Sequence, residues 1–134
     1  MTVVDASVWV SRLVPGDGHH ASSRAWLERH VAAGGLIAAP VLLLAEVAGA
    51  ISRRTGDATL ARRAVTAILV VPTLRLVAVD QRLAHVAAQL AGDLGLRGAD
   101  AMYAATAMEL NVPLVTWDQG QLARAGQRIA AGSP

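Results

Sequence analysis

Four short apolar runs, each too brief for a helix, constrain this chain more than any other feature. They are residues 2–5, Leu36-Ile37-Ala38, Leu74 to Val79, and Pro113-Leu114-Val115-Thr116. Val3-Val4 has the two-sided apolarity of a buried parallel strand. Helix-length segments lie between the runs: Ser7 to about Leu13, His20 to Val31, Val41 to Arg53, one opened by Asp57 and running to about Val71, one opened by Asp80 and running to about Leu94, Ala99 to Leu110, and Asp118 through Arg124. Strands alternating with helices predict an α/β fold with a central parallel sheet of four or five short strands, connected in the right-handed sense. Gln127 to Ala130 reads as a weak edge strand, and the tail from about residue 131 is expected to be frayed and disordered. No repeat or linker divides the chain, so one domain over residues 1–134 is expected.

Composition removes several chemistries. There is no Cys, which excludes disulfides and thiolate metal sites. All twelve basic residues are Arg. Without Lys there is no P-loop lysine, no Schiff base and no catalytic lysine. The net charge is only +2 while the pI is 10.4. Almost nothing titrates between His and Arg in such a chain, so the charge curve is flat and the pI overstates its basicity. The N-terminus lacks the regions of a signal peptide, and no uncharged stretch suits a membrane span. A cytoplasmic protein is expected.

The acids carry the functional information. Of ten, Asp57 and Asp80 are helix caps, Asp17 lies in a Gly-flanked turn, Glu28 sits beside Arg24 and Arg29, and Asp93 and Glu109 lie near helix ends. Four remain. Asp5 and Asp118 each follow an apolar strand, where ligands bind in open α/β sheets. Asp100 opens a segment of small and apolar residues. Glu46 has Leu42, Leu43, Gly49 and Ala50 as its helical neighbours. A carboxylate there needs a cation or a partner, and Arg53 or Arg54 offers the structural alternative. The other three have N-cap alternatives. If their strands are neighbours, the four converge on one crevice. Oxygen ligands without His or Cys favour Mg²⁺ or Mn²⁺, a pairing suited to phosphodiester hydrolysis.

At this point the chain resembles the PIN-domain family, specifically VapC-type toxins of bacterial toxin–antitoxin pairs. The resemblance is carried by Val4-Asp5-Ala6-Ser7, Glu46, Asp100-Ala101 with Ala104-Ala105-Thr106-Ala107, and Thr116-Trp117-Asp118 with Leu122, in family order. It implies a PIN-like three-layer fold and a Mg²⁺- or Mn²⁺-dependent endoribonuclease. It also implies a homodimer and a small antitoxin that blocks the site. Asp5, Glu46, Asp100 and Asp118 match the acidic site, with Glu46 reaching the metal directly or through water. Ser7 and Thr116 match supporting polar positions; a helix cap and a strand-end hydroxyl are their structural alternatives. Some members carry another acid after the last motif. Here Gln119-Gly120 follow, which leaves the number of metal ions open.

RNA contacts are sought at Arg12 and Arg97, near the expected site loops, and at Trp117, which either stacks on a base or belongs to the core. Arg53-Arg54 and Arg62-Arg63 form a second candidate patch. His19-His20 is expected to be simply exposed. A haloacid-dehalogenase-like phosphatase would need an acid at position 7 and a lysine. A dinucleotide-binding turn would need different glycine spacing from Gly92, Gly95 and Gly98. The competing class is a catalytically silent PIN-like module that binds RNA or protein.

Overall fold

The computed structural model describes residues 1–134. The elements run β1 (Thr2–Val4), α1 (Ala6–Leu13), α2 (His20–Ala32), β2 (Ile37–Pro40), α3 (Leu43–Thr55), α4 (Ala58–Leu69), β3 (Leu74–Val77), α5 (Gln81–Leu94), α6 (Gly98–Leu110), β4 (Leu114–Val115), α7 (Gln119–Ala125) and β5 (Ala131–Gly132). The strands form one all-parallel sheet in the order β3-β2-β1-β4-β5, flanked by the seven helices. The α/β architecture expected from the alternation is the one observed.

Burial explains the order. β1, β2 and β4 are buried throughout and, apart from Thr2 and Pro40 at their ends, are built from Val, Ile, Leu and Ala. The edge strand β3 turns Arg75 to solvent. It ends at Val77 rather than Val79 because its partner β2 ends at Pro40, the residue opposite Val77. The Val41 amide continues that ladder by donating to the Val77 carbonyl at 2.8 Å. Helix α3 therefore starts at Leu43, two residues later than the periodicity suggests.

The C-terminal edge differs from expectation. Residues 127–130 are not a strand. Gln127, Arg128 and Ile129 donate their amides back to Arg124 and Ala125, closing a turn after α7. That turn delivers Ala131 and Gly132 to pair with Leu114 and Val115. The expected frayed tail thus supplies β5.

The core is one cluster of 27 buried apolar side chains. Trp9 and Tyr103 are its large aromatics. Ala101, Ala104, Ala105 and Ala107 let α6 lie close across β1, β2 and β4. The residues after α3 and α5 are Gly56 and Gly95, at φ of +69° and +65°. These are left-handed conformations that other residues resist. No helix is long and apolar enough to cross a membrane.

The chain lays down β1, β2 and β3 in one direction, then crosses back to place β4 and β5 on the other side of β1. The direction reverses between β1 and β4. Beyond the carboxyl ends of those two strands the diverging connections leave a crevice.

Candidate functional site

Asp5 follows β1 and Thr116 follows β4. The register pairs Val4 with Val115, so the next residues, Asp5 and Thr116, lie side by side. Asp5 is 6% exposed, and its Oδ1 accepts from the Thr116 hydroxyl and from the Ser7 amide, both at 3.0 Å. The second bond caps α1. Ser7 Oγ lies 3.3 Å from Thr116 Oγ1 and accepts from the Trp117 amide at 3.0 Å. Thr116 Oγ1 also accepts from the Asp118 amide at 3.0 Å. Asp5, Ser7 and Thr116 thus tie the end of β1 to the end of β4, and both hydroxyls support a carboxylate.

Asp118 caps α7 through its Oδ1, which accepts from the Gln121 amide at 2.8 Å. Asp100 does not cap α6, whose N-cap is Arg97; it lies in the first turn, where a negative charge faces the positive end of the helix. Glu46 does not pair with Arg53 or Arg54. Its Oε2 accepts from the buried Tyr103 hydroxyl at 2.6 Å. No feature of the sequence marks Tyr103 for this role, since it reads as one more apolar residue of α6.

Electrostatics show which acids face one another. Burial raises the pKa of Asp5; the bonds from Ser7 and Thr116 oppose the rise and Asp100 adds to it. Burial raises Glu46 as well, Tyr103 opposes, and Asp5 and Asp100 add repulsion. Tyr103 is pushed far above the usual phenol range by burial and by Glu46, so it remains a hydrogen-bond donor.

One cation enters this group. Arg97 donates from Nε to Asp100 Oδ2 at 2.7 Å and from an Nη to Asp118 Oδ2 at 2.6 Å, while remaining 74% exposed. A preformed four-carboxylate cage is therefore not what the structure contains. No three acidic side chains are placed to grip one ion together. Two of the four are bridged by Arg97, and Asp5 and Asp118 each commit an oxygen to a helix cap. The donor set still suits a hard divalent cation: carboxylate and hydroxyl oxygens, with Asp5 buried, Asp5, Glu46 and Asp100 repelling one another, and a guanidinium already between Asp100 and Asp118.

The remaining expected contacts divide. Arg97 is at the site. Arg12 is not; it lines a groove with Trp9, Leu27, Ile37 and Pro72, beside the amino end of β2. Trp117 is half-buried, and its Nε1 donates to Ser23 Oγ at 2.7 Å. Its ring is stacked by His19, with centroids 3.9 Å apart. His19 is exposed, as expected, but it is also the outer member of this pair, which the sequence did not reveal; His20 is not simply exposed but half-buried, its Nδ1 3.0 Å from the Ser11 carbonyl oxygen.

An all-parallel sheet in the order β3-β2-β1-β4-β5, flanked by helices, defines a class of fold. The chain belongs to the PIN-domain family, whose model matches residues 2–127. Among solved structures it is similar to a Mycobacterium tuberculosis VapC20 toxin described as cleaving the sarcin–ricin loop, with a TM-score of 0.76, 21% identity, and coverage of 92% of this chain and 94% of that one. It is also similar to a chain of VapBC2 from Rickettsia felis bound to a promoter DNA fragment, with a TM-score of 0.74, 18% identity, and coverage of 98% and 97%. A toxin–antitoxin complex from Klebsiella pneumoniae matches at a TM-score of 0.66, 20% identity, and coverage of 92% and 91%. Among curated protein sequences none matches significantly.

Proposed function

We propose that this protein is a metal-dependent endoribonuclease, the toxin of a toxin–antitoxin pair, held in check by a small antitoxin and working as a homodimer. The observation that carries this reading is the gathering of Asp5, Glu46, Asp100 and Asp118 around the β1–β4 switch point. Membership of the PIN-domain family and likeness to toxin structures, some in complex with antitoxins, support it.

Asp5, Asp100 and Asp118 would hold Mg²⁺ or Mn²⁺, with Glu46 reaching it directly or through water. The ion supplies a water nucleophile available at neutral pH and charge neutralisation on the phosphate. Thr116 and the Ser7 amide fix the direction of Asp5. Tyr103 fixes Glu46, which would take a proton from the attacking water. Arg97 balances Asp100 and Asp118, and its exposed guanidinium would be free to face a phosphate where a divalent cation took over that role.

The test incubates the purified protein with structured RNAs, including a sarcin–ricin-type hairpin, in Mg²⁺, Mn²⁺ or EDTA. Cleavage is expected with metal and not with EDTA, and loss of cleavage is expected in Asp5→Ala and Asp100→Ala. Equal RNA loss in EDTA, or unchanged activity in both variants, refutes the mechanism. A short reading frame beside this gene, encoding a small protein that suppresses toxicity, is expected for the antitoxin. The alternative of a silent binding module draws on one observation, the Arg97 bridge. It prevails if Mn²⁺ neither binds nor changes stability.

A further inference from the structure

The largest cavity, about 710 Å³, opens from the carboxylate crevice and is within the usual range for ligand pockets. Ser7, Glu46 and Asp118 stand at its near end. The rest of its wall holds a flat aromatic surface and an unpaired cation, neither of which the hydrolytic chemistry uses.

The aromatic surface is His19. Its ring lies nearly parallel to Trp117, at 13°. Trp117 cannot shift easily, because its amide is bound to Ser7 and its indole nitrogen to the buried Ser23. His19 is also held from behind. Its amide donates to Asp17 Oδ1 at 2.9 Å, and Asp17 Oδ2 is gripped by Arg54 at 2.6 Å. An exposed imidazole seated on a fixed indole, one residue from a site carboxylate, is a stacking platform for a planar group.

The cation is Arg53. It takes part in none of the six ion pairs. Its guanidinium folds back over Gly49, with an Nη 3.0 Å from where a β-carbon would lie. Gly49 is three residues beyond Glu46 in α3, so the missing side chain lets Arg53 lie on the face that carries Glu46.

A flat ring and a free guanidinium in one polar cleft match the two parts of a nucleotide. The carboxylates at the near end repel an unescorted phosphate, and Arg53 attracts one. We propose that this cleft is the subsite for the nucleotide next to the scissile phosphate, with its base stacked on His19 and its non-scissile phosphate paired with Arg53. The proposal rests on the ribonuclease reading for the identity of that neighbour; the binding itself does not require cleavage.

The test measures binding of a short fluorescent single-stranded oligoribonucleotide to the full-length protein in EDTA and low salt, by anisotropy. An abasic oligomer of equal length is run in parallel. His19→Ala is expected to weaken binding of the base-bearing oligomer by roughly 5- to 150-fold, the range of one lost stack. It should leave the abasic oligomer unaffected, and His19→Tyr should restore binding. Arg53→Gln is expected to weaken both oligomers and lower the salt slope by about 0.7. Gly49→Ala, which displaces the guanidinium, should act in the same direction. The proposal is overturned if wild type binds neither oligomer, if it binds both equally, or if His19→Ala and Arg53→Gln bind like wild type; a cleft bound only by a protein partner gives one of these results. Binding that depends on His19 and Arg53 without cleavage in Mn²⁺ sinks the nuclease reading and leaves the subsite standing. Cleavage with neither dependence does the reverse.

Discussion

Replacing Asp5 with Asn should stabilise the metal-free protein at pH 8, although it removes a charge from the centre of the site. The amide oxygen can still accept from Ser7 and Thr116, and Asn caps a helix about as well as Asp. What changes is charge. Two charge-assisted hydrogen bonds become neutral ones, a loss of about 1 kcal/mol each. The favourable interaction with the α1 dipole, about 0.3–1 kcal/mol, also goes. Against these stands burial of an ionised carboxylate, which costs several kcal/mol even after relaxation, about 3–5 in order of magnitude. Burial is the largest influence on Asp5 and the net direction of its pKa is upward, so the neutral form wins. The expected gain is up to about 3 kcal/mol, or up to roughly 10 °C in Tm for a chain of this size. Because the native pKa is raised, the native state binds the proton more tightly than the unfolded chain. The contribution of Asp5 to wild-type stability is therefore greatest below the ordinary aspartate range and is lost as pH rises through the raised native value. Asn does not titrate, so the gap between variant and wild type should be small at pH 4 and widen toward pH 8. Thermal melts in EDTA across that range measure it. Adding Mn²⁺ at about 100 times its Kd should stabilise wild type by about 2.7 kcal/mol and the variant far less, closing or reversing the order. If the variant is less stable than wild type in EDTA by the same margin at pH 4 and pH 8, the reasoning about a costly buried charge fails.

Tyr103→Phe removes the donor to Glu46 and should cost about 1.5–3 kcal/mol in denaturant melts. Tyr103 opposes the rise in the Glu46 pKa, so the loss should be full where Glu46 is charged and shrink as the pH falls through its raised native value. A loss that is constant with pH contradicts a bond to the carboxylate. Arg97→Gln should change metal-free stability by no more than about 1 kcal/mol, because exposed ion pairs contribute little. Its Mn²⁺ affinity by calorimetry should rise, since the competing cation is gone. Unchanged or weaker affinity would show that Arg97 does not contend for the carboxylates.

Much of the fold was legible because its signals are local. Buried parallel strands must be apolar on both faces, so β1, β2 and β4 stand out as short runs. Asp57, Asp80, Asp5 and Asp118 cap helices where their positions suggested, because a cap acts over two or three residues. β5 escaped notice because Ala131 and Gly132 carry no strand pattern. They pair only because the turn after α7 brings them to β4.

By itself the sequence determined an α/β chain with acids at two strand ends and two early helix positions, since periodicity and capping are properties of neighbouring residues. Only the tertiary structure decided what those acids meet. The register between β1 and β4 sets Thr116 against Asp5, across 111 positions of chain. The placement of α6 across β1 and β2 brings the Tyr103 phenol, instead of an arginine, to Glu46, and the loop before α6 sends Arg97 between Asp100 and Asp118. Such pairings depend on strand register and helix orientation, which no local pattern encodes.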